Sequence, residues 1–154
     1  MSYSTTVGVD LAKNVIQISV VNGRGKELSN CSLTRKKFAG FLSKHKPSLV
    51  AFESCATAHY WARAAERHGH NARIIPAKAV APFRQGHKTD SNDALAVAEA
   101  ARRPNIKEAP IKTVEQQGLQ PLLTVPQKVN RVRCGNLSIS GSFFGEHGGR
   151  FSSQ

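Results

Sequence analysis

The stretch Thr5-Thr6-Val7-Gly8-Val9-Asp10 constrains the fold of this chain more than any other. It is a short β-branched, apolar run of the kind that forms a buried strand, and it stops on a carboxylate. An ionised carboxylate beside a core loses hydration unless cations, metals or donors replace the water, so such a group usually has a partner. The plainer alternative is that Asp10 only makes the turn, accepting backbone hydrogen bonds as Asp often does. Val15 to Val21 follows closely, with Ile16, Ile18 and Val20 on one face, and Asp10 to Asn14 joins the two runs as a hairpin. Asn22-Gly23-Arg24-Gly25 supplies a second tight turn, and Lys26 to Leu33 returns as a third, more polar strand near an edge.

The pattern then changes period. Thr34 is a candidate N-cap, and Phe38, Phe41, Leu42 and His45 follow at the spacing of an amphipathic helix that Pro47 stops. Leu49-Val50-Ala51-Phe52-Glu53 is a second short apolar strand that ends on an acid. A helix from Ala58, with Trp61, Ala64, Ala65 and His68 along one face, ends at Gly69. Asn71 to Ile75 reads as another strand, so strand and helix alternate through the middle, which argues for parallel pairing. Lys78 to Lys88 is a basic connection. After it, Asp90 to Ala101 is rich in helix formers, and Pro104 ends that run. The fold class expected is α/β, a mixed five-stranded sheet flanked by helices.

The chain has three aspartates, and all of them fall at strand-end or helix-start positions. Asp90 and Asp93 are three apart and share one side of a helix opening. Asp90 at the N-cap with an acid three residues on also resembles a capping box suited to the helix dipole, and for the pair alone this structural reading weighs as much as a functional one. Asp10 and Glu53 at strand ends, with the Asp90 and Asp93 pair, would offer hard oxygen donors of the kind Mg²⁺ takes, with Mn²⁺ an alternative. Four carboxylates drawn together repel one another without cations, so such a cluster implies bound metal or raised pKa values. Two metal ions there would suit phosphodiester chemistry. Spacing alone suggests the four meet and does not establish it.

Lys and Arg number 22 against 10 Asp and Glu, a formal net charge of +12. Such a field attracts phosphate backbones, which makes nucleic acid the expected partner over a membrane-facing patch. Lys13, Lys78, Arg84 and Lys88 are the candidate phosphate contacts. Cys31, Cys55 and Cys134 are widely spaced and lack the pairing of a zinc site, so they read as reduced thiols. Lone histidines such as His59 and His68 read as ordinary surface or packed residues. No apolar stretch approaches the ~20 residues that span a bilayer, and Met1-Ser2-Tyr3-Ser4 lacks the regions of a secretory signal, so a cytoplasmic protein is expected.

Three separated motifs carry a family resemblance: Val7-Gly8-Val9-Asp10-Leu11-Ala12-Lys13; Phe52-Glu53-Ser54-Cys55 leading into Ala58-His59-Tyr60-Trp61-Ala62-Arg63; and Lys88-Thr89-Asp90-Ser91-Asn92-Asp93-Ala94. In that order, with Ile75-Pro76 and Pro82-Phe83 between, the chain resembles the DEDD transposases of bacterial insertion sequences, the insertion sequence 110/1111 family, over about residues 5 to 133. The resemblance implies a ribonuclease H-like domain related to RuvC-type Holliday-junction resolvases, with Asp10, Glu53, Asp90 and Asp93 as its catalytic, metal-binding tetrad. It further implies a C-terminal domain bearing a nucleophilic serine, DNA sites selected by a structured non-coding bridge RNA, and a long helical segment that supports homo-oligomers and RNA contact.

The expected organisation is a catalytic domain over residues 1–106, a partial helical extension over 107–133 interrupted by Pro121 and Pro126, and a flexible Gly/Ser-rich tail over 134–154. The chain is read as a truncated transposase whose C-terminal domain is missing, so Ser138, Ser140 and Ser142 match no nucleophile motif. Two rival functions stand beside metal-dependent DNA cleavage and strand transfer. One is a catalytically incomplete remnant that binds nucleic acid or oligomerises. The more distant one is an actin-like sugar kinase, against which stand the lack of a Gly/Thr-rich phosphate loop after Asp10 and of length for a second lobe.

Overall fold

The computed structural model describes residues 4–86 and 89–119 of the chain. Three strands open it: β1 (Thr5–Leu11), β2 (Val15–Asn22) and β3 (Glu27–Thr34). Helix α1 (Arg35–Lys44) follows directly, its first turn closed by the Thr34 hydroxyl, which accepts from the Lys37 backbone N–H at 3.3 Å. Then come β4 (Leu49–Glu53), α2 (Ala58–Arg67) and β5 (Asn71–Ile75). The stretch expected to be a plain basic connection contains a short helix, α3 (Ala77–Val80), and a 3₁₀ turn over Ala81–Phe83. Pro76 immediately before α3 and Pro82 within the 3₁₀ turn need no backbone donor where they stand, which is why a proline-bearing segment still winds there. Helix α4 (Asp90–Ala101) is the last element of this unit.

The five strands form one mixed sheet in the order β3-β2-β1-β4-β5. β1, β2 and β3 pair antiparallel, whereas β1, β4 and β5 run parallel, as crossovers through α1 and α2 require. Strand β1 runs one residue beyond Asp10, which pairs with Gln17.

The central strands are buried on both faces, whereas edge strand β3 stays exposed or half-buried. Val7, Val9, Ile16, Ile18, Val50, Phe52 and Ile74 pack with Phe38 and Leu42 of α1 and Trp61, Ala62 and Ala65 of α2. Burial of Phe38 and Leu42 contributes roughly 1.5–3 kcal/mol each. Leu49, Ala51 and Ile75 pack on the other face with Val80 and with Ala96, Val97, Ala100 and Ala101 of α4. The small side chains of α4 let it lie unusually close: a Cβ added at Gly8 of β1 would stand 2.1 Å from the Ala94 carbonyl oxygen and 2.7 Å from the Ala98 Cβ.

Residues 107–113 lie along the β5 edge, where the Ala109 N–H donates to the Ile74 carbonyl at 2.8 Å. The chain divides into two units, Met1–Thr113 and Val114–Gln154. Of the second, residues 114–119 are described, and they are helical. The expected remainder of the extension, the Gly/Ser-rich tail and Lys88 lie outside the described residues.

Candidate active site

Side chains alternate across a strand, so Gly8 and Asp10 share one face of β1, and Ala51 and Glu53 one face of β4. Gly8 lies against α4 and Ala51 packs with its alanines, so both acids belong to the α4 face. Register does the rest. Val9 pairs with Phe52 across the parallel β1–β4 pair, and Asp10 and Glu53 each stand one residue further, at neighbouring C-terminal strand ends. Helix α4 begins over this edge. Its N-cap is Thr89, whose hydroxyl accepts from the Asn92 N–H at 3.2 Å, while Asp90 is the first helical residue. The alternative reading of Asp90 as the N-cap therefore does not hold: Thr89 takes that position and satisfies the donor.

Asp10, Glu53, Asp90 and Asp93 line one cleft of about 310 Å³, together with Leu11, Ala12, Ser54, Cys55 and Arg84. Asp93 is 6% exposed. The Asp10 carboxyl is pushed above its ordinary value, first by burial, then by the negative charges of Asp93, Asp90 and Glu53, with Arg84 opposing. That three other acids act on Asp10 is the electrostatic signature of four carboxylates gathered at one edge.

Arg84, expected only as a phosphate contact, lies inside this cleft. Its Nη2 donates to Glu53 Oε1 and Oε2 at 3.1 and 2.9 Å, and its Nε stands 2.8 Å from Asp93 Oδ1. Burial tends to lower the guanidinium's pKa, and the two carboxylates outweigh it and raise it. Asp93 Oδ1 is buried, and the Arg84 guanidinium is the cation paired with it. Among the described residues no group of three His, Cys, Asp or Glu is disposed to hold a metal ion. Sequence reasoning had a basic residue at position 84 but no signal for its direction, because a short helix and a 3₁₀ turn set it.

A polar network on the same sheet face fixes the start of α4. Ser19 Oγ donates to Glu27 Oε1 at 2.7 Å, Asn30 Nδ2 donates to the same oxygen at 2.6 Å, and Gln17 Nε2 donates to Asn30 Oδ1 at 2.6 Å. Asn30 Nδ2 also reaches the Ser91 carbonyl at 3.1 Å, between Asp90 and Asp93. Of the other basic candidates, Lys13 is exposed in the β1–β2 turn, its carbonyl accepting from Arg35 Nη2 at 3.2 Å, and Lys78 is exposed on α3.

A mixed sheet of this order, with acids at two adjacent strand ends and on the first turns of a helix laid over them, defines a ribonuclease H-like fold. RuvC from T. thermophilus, solved in complex with a Holliday junction substrate, superposes with a TM-score of 0.51 at 16% sequence identity, over 70% of this chain and 100% of that one. The sequence profile of the IS110-type DEDD transposases, described as "Transposase", matches residues 7–136, and the chain belongs to that family.

A probable family 20 transposase of Pseudomonas aeruginosa is 37% identical over 92% of this chain and 42% of its own length. The transposase for insertion sequence element IS1328 of Yersinia enterocolitica is 33% identical over 94% and 43%. That for IS1111A of Coxiella burnetii is 31% identical over 92% and 39%. The chain thus spans about two-fifths of the length of these curated relatives.

Membership of a DEDD family implies use of a divalent metal, and the chemistry of the cleft's donors suits one, although no three of them are already gathered around a single ion position. The donor set is hard carboxylate oxygen, four side chains lining one cleft. Among the described residues no helix is long and apolar enough to cross a membrane.

Proposed function

We propose that the cleft is the metal-dependent centre of a transposase domain that binds DNA and cleaves or transfers its strands, with Asp10, Glu53, Asp90 and Asp93 as metal ligands. Mg²⁺ is the proposed ion, with Mn²⁺ able to replace it. One observation carries the reading: four acids from three distant stretches of sequence line one cleft in a strongly basic chain. Asp10 and Glu53 hold their carboxylates at fixed strand ends, and α4 brings two more from above. When bound there, divalent ions activate the attacking oxygen and stabilise the leaving oxygen of a phosphodiester. Lys13, Lys78, Arg84 and Lys88 are proposed to approach nucleic-acid phosphate. A structured bridge RNA, self-association and a division of the chain near residues 106 and 133 belong to the same reading, which rests for these on the family.

Calorimetric titration of Mg²⁺ or Mn²⁺ into the parent, Asp10→Ala and Asp90→Ala tests it. Binding that both substitutions weaken by at least about tenfold is expected, since each removes a charged ligand. Undiminished binding in both variants overturns the tetrad. A second reading, binding of nucleic acid without cleavage, draws on the guanidinium lodged between Glu53 and Asp93. It predicts DNA retention with no metal-dependent cleavage.

A further inference from the structure

Arg84 stands where a phosphate-reaching arginine has least reason to be. The side chain leaves the backbone just after the 3₁₀ turn over Ala81–Phe83, is still 34% exposed, and yet turns inward onto two carboxylates. It takes both oxygens of Glu53 and pairs with the buried Oδ1 of Asp93 at 2.8 Å. A guanidinium satisfied by a carboxylate is ordinarily bidentate and matched in direction. The Glu53 contact is shared over one nitrogen, and the same guanidinium serves Asp93 through Nε. One positive charge thus stands against four carboxylates, and the site keeps a net negative charge that still raises Asp10.

We propose that Arg84 is a displaceable counter-cation. Its guanidinium occupies the positive position between Glu53 and Asp93. A divalent ion entering the cleft must expel it, which frees the side chain to swing outward. The inference rests on the reading of the four acids as metal ligands and adds to it a competitor built into the chain. Two consequences follow from the geometry. The acid cluster stays folded without metal because Arg84 lowers its mutual repulsion. Metal binding is weakened by the work of breaking both ion pairs, and it delivers a guanidinium to the cleft mouth, where a phosphate would lie.

The test uses the full chain and two readouts other than activity. Mn²⁺ is titrated calorimetrically into the parent and Arg84→Gln. The variant is expected to bind roughly three- to tenfold more tightly, the range that two partly exposed ion pairs support. In the parent, modification by phenylglyoxal, an arginine-directed dicarbonyl, is followed at Arg84 by peptide mass spectrometry with and without Mn²⁺, with Arg24 and Arg67 as exposed references. Labelling of Arg84 is expected to accelerate as metal saturates, while the references stay constant. This arm needs no variant, so a misfolded Arg84→Gln leaves the question decidable. Binding in the parent with no tightening in the variant and no change in labelling overturns the displacement and leaves the acid centre standing. Absence of metal binding in both proteins overturns the acid centre and the displacement together.

Discussion

Asp10 carries a cost that its neighbours impose. Burial and the charges of Asp93, Asp90 and Glu53 raise its pKa, so the folded state holds a proton more tightly than the unfolded chain does. Where the native state binds more protons, stability falls as pH rises through the window between the unfolded value, 3.8, and the raised folded one. Above that window the full penalty for an ionised Asp10 is present. Asp10→Asn removes the charge and keeps the shape. It is expected to stabilise the metal-free protein at pH 7 by about 0.5–1 kcal/mol, a figure discounted because the group is partly solvated. The gain shrinks in acid as the parent's own Asp10 protonates, and denaturant unfolding at several pH values measures it. The same variant loses metal affinity. A protein less stable with its native residue than with the isostere is the signature of a site held against the interests of the fold.

Helix α4 joins fold and site, and its position depends on one glycine. Gly8→Ala places a methyl 2.1 Å from the Ala94 carbonyl and 2.5 Å from the Ala98 N, both backbone atoms that no rotamer change can move aside. The helix must shift outward, carrying Asp90 and Asp93 from Asp10 and Glu53. A loss of at least about 1–3 kcal/mol is expected from overpacking, read by thermal unfolding. A larger proportional loss of metal affinity is expected from the displaced ligands, read by calorimetry.

The sequence shows part of this element and hides part. Its helix formers, its span and the two strand-end acids are legible because periodicity and β-branching are local properties. Thr89 in place of Asp90 at the cap was not, because both residues cap helices well and only backbone geometry separates them. Nor was Arg84: α3 and the 3₁₀ turn occupy a segment whose prolines, alanines and lysines carry no apolar period, so nothing local announces where the guanidinium points. The Asn30 contact to Ser91 spans 61 positions and joins a polar edge strand to a helix start, a long-range pairing that no local pattern contains.

At the scale of the whole molecule, the segment after α4 behaves as a strap across the sheet. The Ala109 N–H pairs with Ile74, Glu108 meets Arg73 at 3.0 Å, the Lys112 carbonyl accepts from Arg63, and the Lys112 N–H donates to His59 Nδ1 at 3.2 Å. Ala109 and Ile111 add apolar cover to the α1 and α2 side of the core. A chain ending at residue 113 is therefore expected to be more stable than one ending at 106 by about 2–3 kcal/mol, from the three hydrogen bonds and the apolar area lost, less the entropy of ordering the segment.

His59 gives the strap a pH dependence. Its pKa is lowered by burial first and then by Lys112 and Arg63, so the folded state binds fewer protons than the unfolded chain around 6.5. Stability contributed there is present above that value and lost as pH falls through the folded pKa, because a protonated Nδ1 can no longer accept from Lys112. The protection factor of the Lys112 amide, its exchange rate relative to that of an unstructured amide at the same pH, should fall as pH drops through the lowered His59 pKa in the parent. In His59→Gln, whose side-chain carbonyl does not titrate, that acid-dependent component should vanish. An unchanged protection factor across this range in the parent would show that His59 does not hold the strap, and that the Ala109 pairing and the Arg63 contact hold it alone.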